Sequence, residues 1–277
     1  MTAGSDKWEL EAIELDLLVD GIRRHYDLDL GAYSRPLLLR RLRQFIAQEG
    51  LPTLSALQAL VLHDSQRLDS LLASITSDPS PLFDDASFLR ALREEAIPWL
   101  KTHPSLRIWH AGCASPEDVF TLAIVLHEEG LLARTRLYVT DASEELLARA
   151  QSGSCPAPGE QAQARYVEAG GRARLADYFQ GRGKKARLKP ALQERIFYSQ
   201  HHLAHEGPFN EFHAVLCRNT LIYFNRKQHG RIHGLIFESL ARFGYLGIGR
   251  KESLRRTPHA GAYDEVEGAG RLYRRIS

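Results

Sequence analysis

The sequence predicts an α/β domain with a mostly parallel sheet, preceded by an all-helical N-terminal domain. Three observations carry that prediction. Residues from about Trp8 to Phe88 show only helical spacing. Residues 107–142 read as strand, small-residue loop, helix, strand, with an acid at the end of the second strand. Beyond them strands and helices go on alternating, the pattern of a parallel sheet with helices on its faces.

A chain of 277 residues is long enough for one large or two small domains and a sizeable core. Its 36 Lys and Arg against 34 Asp and Glu leave a net charge of +2, which argues against a strongly basic nucleic-acid surface. The odd number of cysteines, Cys113, Cys155 and Cys217, excludes a complete internal disulfide framework, and they lack metal-ligand spacing. His201, His202 and His205 cluster in a loop without further ligand spacing, so no metal is expected. No apolar run reaches transmembrane length, and the polar start MTAGSDKWELE is unlike a signal peptide. The expectation is a cytoplasmic protein without direct membrane insertion.

The helical domain is expected over residues 1–75. Leu10, Ile13, Leu17, Leu18 and Ile22 share helical spacing in the first helix. The second runs from Ser34-Arg35-Pro36 to Glu49 and stops at Gly50, with Arg35, Arg40, Arg41 and Arg43 on its polar face. Leu54, Leu57, Leu60 and Val61 mark a third helix, and Leu68, Leu71 and Leu72 a fourth. Residues 76–85 form a linker of prolines, serines and aspartates. The second domain spans 86–277 and opens with a helix over 86–100.

The first strand, Leu106 to Trp109, runs into Ala111-Gly112-Cys113-Ala114. Ser115-Pro116-Glu117-Asp118 spells a helix start, with Ser115 as N-cap, Pro116 at the first position and Asp118 at the capping-box acid. Leu137-Tyr138-Val139 is the second strand, and Asp141 ends it. Ser143 caps a helix over 144–151, and residues 154–192 are irregular. Strands follow at 196–198 and 213–217, a helix over 226–242, and a closing pair at 245–248 and 271–273. Strand, loop, helix, strand and acid form the front half of a nucleotide-binding unit, but the glycine-rich phosphate fingerprint is missing. A cofactor with an adenosine and no phosphate suits that loop, and S-adenosylmethionine (SAM) is such a cofactor. Ligands belong at the carboxyl ends of the strands, where residues 112–118, Asp141, His202-Leu203 and Arg218-Asn219 gather.

The segment Cys217-Arg218-Asn219-Thr220-Leu221-Ile222-Tyr223-Phe224 resembles the C-R-N-V-L-I-Y-F run of the CheR family, SAM-dependent methyltransferases that esterify glutamate side chains on chemotaxis receptors. The A-G-C loop, the T-D after the second strand, Tyr178-Phe179 and Gly249-Arg250-Lys251-Glu252-Ser253-Leu254 agree in order. The resemblance implies a Rossmann-like SAM-dependent methyltransferase sheet with a small inserted β-subdomain over about 154–192. It assigns cofactor contacts to Ser80, Asp78, Gly112, Cys113, Ala114, Glu117, Asp118, Asp141, Ala142, His202, Leu203, Cys217 and Asn219, with Asp141 on the ribose. It makes Tyr223 and Arg218 the catalytic residues, and Arg40, Arg41 and Arg43 a contact for an acidic substrate helix. The implied partner is a methyl-accepting chemoreceptor or a similarly acidic helical signalling protein, with S-adenosylhomocysteine as product.

Two departures stand out. The family linker T-N-x-T-x-F-F-R-E here reads Ser77 to Asp85, S-D-P-S-P-L-F-D-D, which puts Asp84 where the family has arginine. The glycine of the family's S-T-G-E-E loop is Pro116, which lacks an N–H and forbids positive φ. They leave open a second reading, a SAM- or partner-binding signalling module without turnover. Lack of an N-P-P-Y-like motif weighs against a nucleic-acid methyltransferase.

Overall fold

A computed structural model describes residues 3–77, 80–181, 183–255, 257–268 and 271–277. Two compact units make up the chain, Met1–Thr76 with Ile222–Gln228, and Ser77–Leu221 with His229–Ser277.

The first unit holds α1 (Ala3–Tyr26), α2 (Arg35–Glu49), α3 (Leu54–His63) and α4 (Ser65–Thr76). Pro36 sits in the first turn of α2, and Gly50 ends it at φ 67° with its N–H on the Ile46 carbonyl. Thr53 caps α3 by accepting from the Ala56 N–H at 3.1 Å. Leu18, Ile22, Leu42, Leu57, Val61 and Leu71 are fully buried together, each contributing about 1.5–3 kcal/mol over an exposed position. The apolar spacing of α1 divides between two faces. Leu15, Leu18 and Ile22 point inward, whereas Leu10, Ile13 and Leu17 are 58%, 51% and 52% exposed. A helix buries one stripe roughly 100° wide, and the first three residues fill it.

In the second unit the helix expected over 86–100 is broken into α5 (Ala86–Ala91), a π-helical turn over Leu92–Ala96, and α6 (Ile97–Lys101). Pro98 has no N–H for the carbonyl four residues back, and the ladder shifts register just before it. Then come β1 (Leu106–Ala111), α7 (Pro116–Glu128), β2 (Thr135–Asp141), α8 (Glu144–Gln151), β3 (Ser154–Pro156), α9 (Glu160–Glu168), β4 (Phe179–Gln180), β5 (Lys185–Leu188) and α10 (Pro190–Gln193). The chain closes with β6 (Ile196–Gln200), β7 (Phe212–Cys217), α11 (Arg226–Ser239), β8 (Leu240–Ile248), β9 (Tyr263–Glu265) and β10 (Leu272–Arg275), α11 starting among the residues of the first unit.

Seven strands form one sheet in the order β6-β2-β1-β7-β8-β10-β9. The first five are parallel, and β10 lies antiparallel to both β8 and β9. A separate antiparallel sheet, β3-β5-β4, forms the insertion. Glu128 at the end of α7 ties the insertion down by accepting from the hydroxyls of Tyr166 and Tyr178, the latter at 2.7 Å. The helix–strand alternation fails once. Residues 201–211 between β6 and β7 are too few for the usual helical crossover. Trp109 of β1, fully buried, packs there against Phe209 and Phe212 at ring distances of 5.2 and 5.3 Å.

Among the described residues no single helix is long and apolar enough to cross a membrane.

Candidate cofactor site

Register brings the strand ends together. Ala111 lies opposite Thr140, Asp141 opposite Gln200, and His110 opposite Leu216. The loops after β1, β2, β6 and β7 therefore emerge side by side on one edge of the sheet.

The loop after β1 is fixed by backbone. Gly112 has φ 86°, and a Cβ there would stand 2.4 Å from the Thr220 hydroxyl. Only glycine suits that position on both counts. The turn aims the Cys113 N–H at Asp141, whose Oδ2 accepts at 2.7 Å. Oδ1 of Asp141 accepts from the Ser143 N–H at 3.0 Å. Asp141 is buried. Ser143 also caps α8 at the Leu146 N–H, as its spelling suggested. The Ala142 carbonyl receives the Gln200 amide at 2.8 Å, and the His201 N–H reaches the Asp141 carbonyl at 3.0 Å. The third strand end is thereby tied to the second. His202 is half-buried, its N–H bonds Glu206 at 2.9 Å, and burial lowers its pKa; Leu203 is buried beside it. Burial pushes the Cys113 and Cys217 thiols up, so both are protonated near neutrality.

The end of β7 is held by Glu252, which lies outside the residues expected from sequence. Its carboxylate accepts from the N–H groups of Gly249 at 2.6 Å, Leu221 at 2.7 Å and Asn219 at 3.2 Å. Asn219 takes the left-handed conformation at φ 56°. Glu252 thus joins the C-R-N segment to the G-R-K-E-S-L segment, and an acid inside that motif was its sequence signal.

Residues 80–85 and the start of α7 meet through side chains. Ser80 donates to Asp118 Oδ1 at 3.1 Å. Ser115 does not cap α7 with its side chain. Its hydroxyl lies 2.5 Å from Glu117 Oε2 and 3.1 Å from the Ser80 carbonyl, and it accepts from the Ser80 N–H. The capping-box arrangement is therefore not formed. Asp118 is half-buried, and its pKa is lifted to about 6 by burial, with Asp84 and Glu117 adding repulsion and Arg218 and Ser80 opposing it. It forms no ion pair among the described residues. Ala114 is half-buried between this group and Cys113.

Asp85, also unassigned from sequence, organises the guanidinium groups. It sits at φ 61° as N-cap of α5, its side chain 2% exposed. Oδ2 accepts from Arg218 at 2.7 Å and Oδ1 from Arg250 at 2.7 Å. Arg218 is 11% exposed and lies over the Phe88 ring at 4.2 Å. Its Nε is buried without a partner. Burial pushes the Asp85 carboxyl up, but Arg250 and Arg218 outweigh it and hold it below the usual carboxylate range.

Tyr223, Arg40, Arg41 and Arg43 belong to the helical unit. Tyr223 is 1% exposed in the core of the helical unit, where its carbonyl accepts from the Ser34 N–H at 2.7 Å. Arg43 pairs with Glu11 and lies over the Trp8 ring, and Arg35 pairs with Asp16 at 2.7 Å. Arg40 is exposed, and Arg41 is half-buried with its Nε unpartnered. Asp78 lies outside the described residues. No His, Cys, Asp and Glu cluster suited to a metal occurs among the described residues.

A five-strand parallel sheet closed by an antiparallel pair, with an acid after its second strand and a glycine turn after its first, defines a Rossmann-like SAM-dependent methyltransferase. The chain belongs to the CheR methyltransferase family. The family's SAM-binding domain matches residues 80–267 and its all-alpha domain residues 13–76. Cher3 of Pseudomonas putida is 36% identical over 264 residues, covering 95% of this chain and 97% of its own. A chemotaxis protein methyltransferase of Listeria monocytogenes is 26% identical over 84% of this chain and 87% of its own. Chemotaxis protein methyltransferase 1 of Pseudomonas aeruginosa is 27% identical over 83% of this chain and 86% of its own. The cofactor is SAM, and the donor set fits it. The edge carries the carboxylates of Asp141 and Asp118 and the guanidinium of Arg218, groups of the kinds that ribose hydroxyls, an ammonium and a carboxylate require.

Proposed function

We propose that this protein methylates glutamate side chains of a methyl-accepting chemoreceptor, or of a similarly acidic helical signalling protein, in the cytoplasm, giving glutamate methyl esters. The support is a pairing of two findings. Its relatives in Listeria and Pseudomonas aeruginosa are chemotaxis protein methyltransferases. Its strand-end edge gathers carboxylates and a fixed guanidinium that can position a ligand.

SAM supplies an activated methyl on a sulfonium, so the S–C bond breaks as the O–C bond forms and the bonding pair returns to sulfur. A glutamate acceptor has an ordinary pKa of about 4.3 and is ionised near neutrality. It needs alignment and desolvation, not deprotonation. Asp141 would hold the ribose and Asp118 the amino-acid ammonium, and Arg218, which Asp85 fixes, would meet the carboxylate. Glu252 holds Asn219 in its left-handed turn beside them.

Asp84 favours a second reading, in which SAM binds and signals without turnover. It adds negative charge beside Asp118 at a position where the family's linker carries a cation. Incubation with methyl-labelled SAM and receptor cytoplasmic domains, followed by alkaline release of volatile methanol, decides between the two. Released label supports the base-labile glutamate methyl ester. Tight SAM binding in calorimetry with no label on any receptor supports the second reading.

A further inference from the structure

The cofactor edge is crowded with carboxylates. Asp84 and Glu117 both repel the Asp118 carboxylate, and Asp85 follows Asp84 in the chain. A glutamate approaching this edge meets like charge, and like charges at contact repel by about 1 kcal/mol in water and more where water is excluded. Some cation has to offset that field for an anionic acceptor to dwell there. Two guanidiniums are hydrogen-bonded into the cluster among the described residues, and they differ in one respect. Arg218 is 11% exposed and packed on Phe88, so it is fixed. Arg250 is 65% exposed and anchored at one end by its 2.7 Å bond to Asp85 Oδ1. Most of its side chain is open to solvent, and both Asp84 and Glu168 lie within its field.

We propose that Arg250 is the acceptor-recognising residue of this enzyme, the guanidinium that receives the carboxylate of the substrate glutamate and fixes specificity for an anionic acceptor. The inference rests on the glutamate-methylating function proposed above. Asp85 gives Arg250 its position, through a carboxylate that Arg218 already holds in place. The planar fork suits a carboxylate in a bidentate pair, which orients the acceptor as well as attracting it. The charge reversal at Asp84 is then matched by a cation on a different loop. Position 84 leans on Asp118 and the cofactor's amino-acid end, and Arg250 serves the acceptor.

Steady-state methylation of a receptor cytoplasmic domain by the full chain, with calorimetric titration of S-adenosylhomocysteine, tests this in Arg250→Gln and Arg250→Lys. Arg250→Gln is expected to raise the acceptor KM at least tenfold and leave cofactor Kd within twofold. Arg250→Lys is expected to recover part of the loss, since it restores charge but not the fork. The acceptor KM of Arg250→Gln is also expected to lose much of its dependence on ionic strength. An unchanged acceptor KM in Arg250→Gln overturns the assignment while the glutamate ester reading stands. A cofactor Kd that weakens as much as the acceptor KM also overturns it, and places Arg250 on the cofactor. Absence of label on every receptor with the unsubstituted chain overturns both.

Discussion

The two halves of the strand-end edge are built by different means. Around Gly112 and Asp141 the geometry comes from backbone, with a left-handed glycine, an N–H from Cys113 on one carboxylate oxygen and an N–H from Ser143 on the other. Around Ser80, Asp85 and Asp118 it comes from side-chain hydroxyls, carboxylates and guanidiniums. At Gly112 the positive φ and the close Thr220 hydroxyl together leave one residue type available, and the A-G-C spelling agrees with the family's. A charge network can move a cation from one loop to another and keep its balance. The rewritten linker and the proline in the α7 loop both lie in the second half.

The contrast is sharpest where a charge is buried. Asp85→Ala strands the Arg218 guanidinium, and loss of one partner from a buried pair costs about 3–5 kcal/mol. Urea unfolding at pH 7 measures it. Because the Asp85 pKa is depressed on folding, its contribution is complete above the unfolded value and is lost as pH falls through the folded one. The deficit of Asp85→Ala is therefore expected to shrink in acid below about pH 4; a deficit unchanged down to pH 2 counts against the charge origin.

On the backbone side, Gly112→Ala meets both strain at positive φ and the Thr220 hydroxyl, and is expected to cost about 1–3 kcal/mol and to abolish SAM binding. Wild-type affinity in that variant refutes the backbone account of the turn.

A smaller effect appears in pH. Asp118, lifted to about 6, has to ionise to favour a cationic ligand. SAM affinity is expected to fall by up to about tenfold per pH unit below 6, and Asp118→Asn to remove that slope. The raised pKa also means that ionised Asp118 costs the ligand-free fold stability, a cost that begins above the unfolded pKa and is complete above 6. Asp118→Asn is therefore expected to raise ligand-free stability at pH 8 and to be neutral at pH 3. Asp84→Asn removes one repulsive neighbour, and should move the pH break downward and tighten SAM at pH 6 by at most about twofold, because Asp118 at about 6 is already half ionised there. The smallest effect expected is Arg43→Ala, an exposed pair with Glu11 of at most about 1 kcal/mol, resolved by a double-mutant cycle with Glu11→Ala.

Much of the edge was legible in the sequence because the signals were local. Ser143 and the small-residue loop after β1, like Gly50 in the helical unit, each act on backbone within a few residues, so spelling and geometry coincide. Asp85 and Arg250 were not legible, since they meet across 165 residues of chain and nothing in either neighbourhood names the other. Ser115 shows the converse. Its local spelling is that of a cap, but Ser80 and Glu117 bind its hydroxyl instead. On α1 the apolar spacing fitted a buried face at Leu10, Ile13 and Leu17, which the helix turns outward.

The sequence by itself determined the sheet class, the strand-end acid and the glycine turn, because periodicity and φ preference act on neighbours. Only the tertiary structure decided which carboxylate holds which guanidinium. Pairing energies depend on distance and burial, and those belong to the folded chain rather than to any stretch of it.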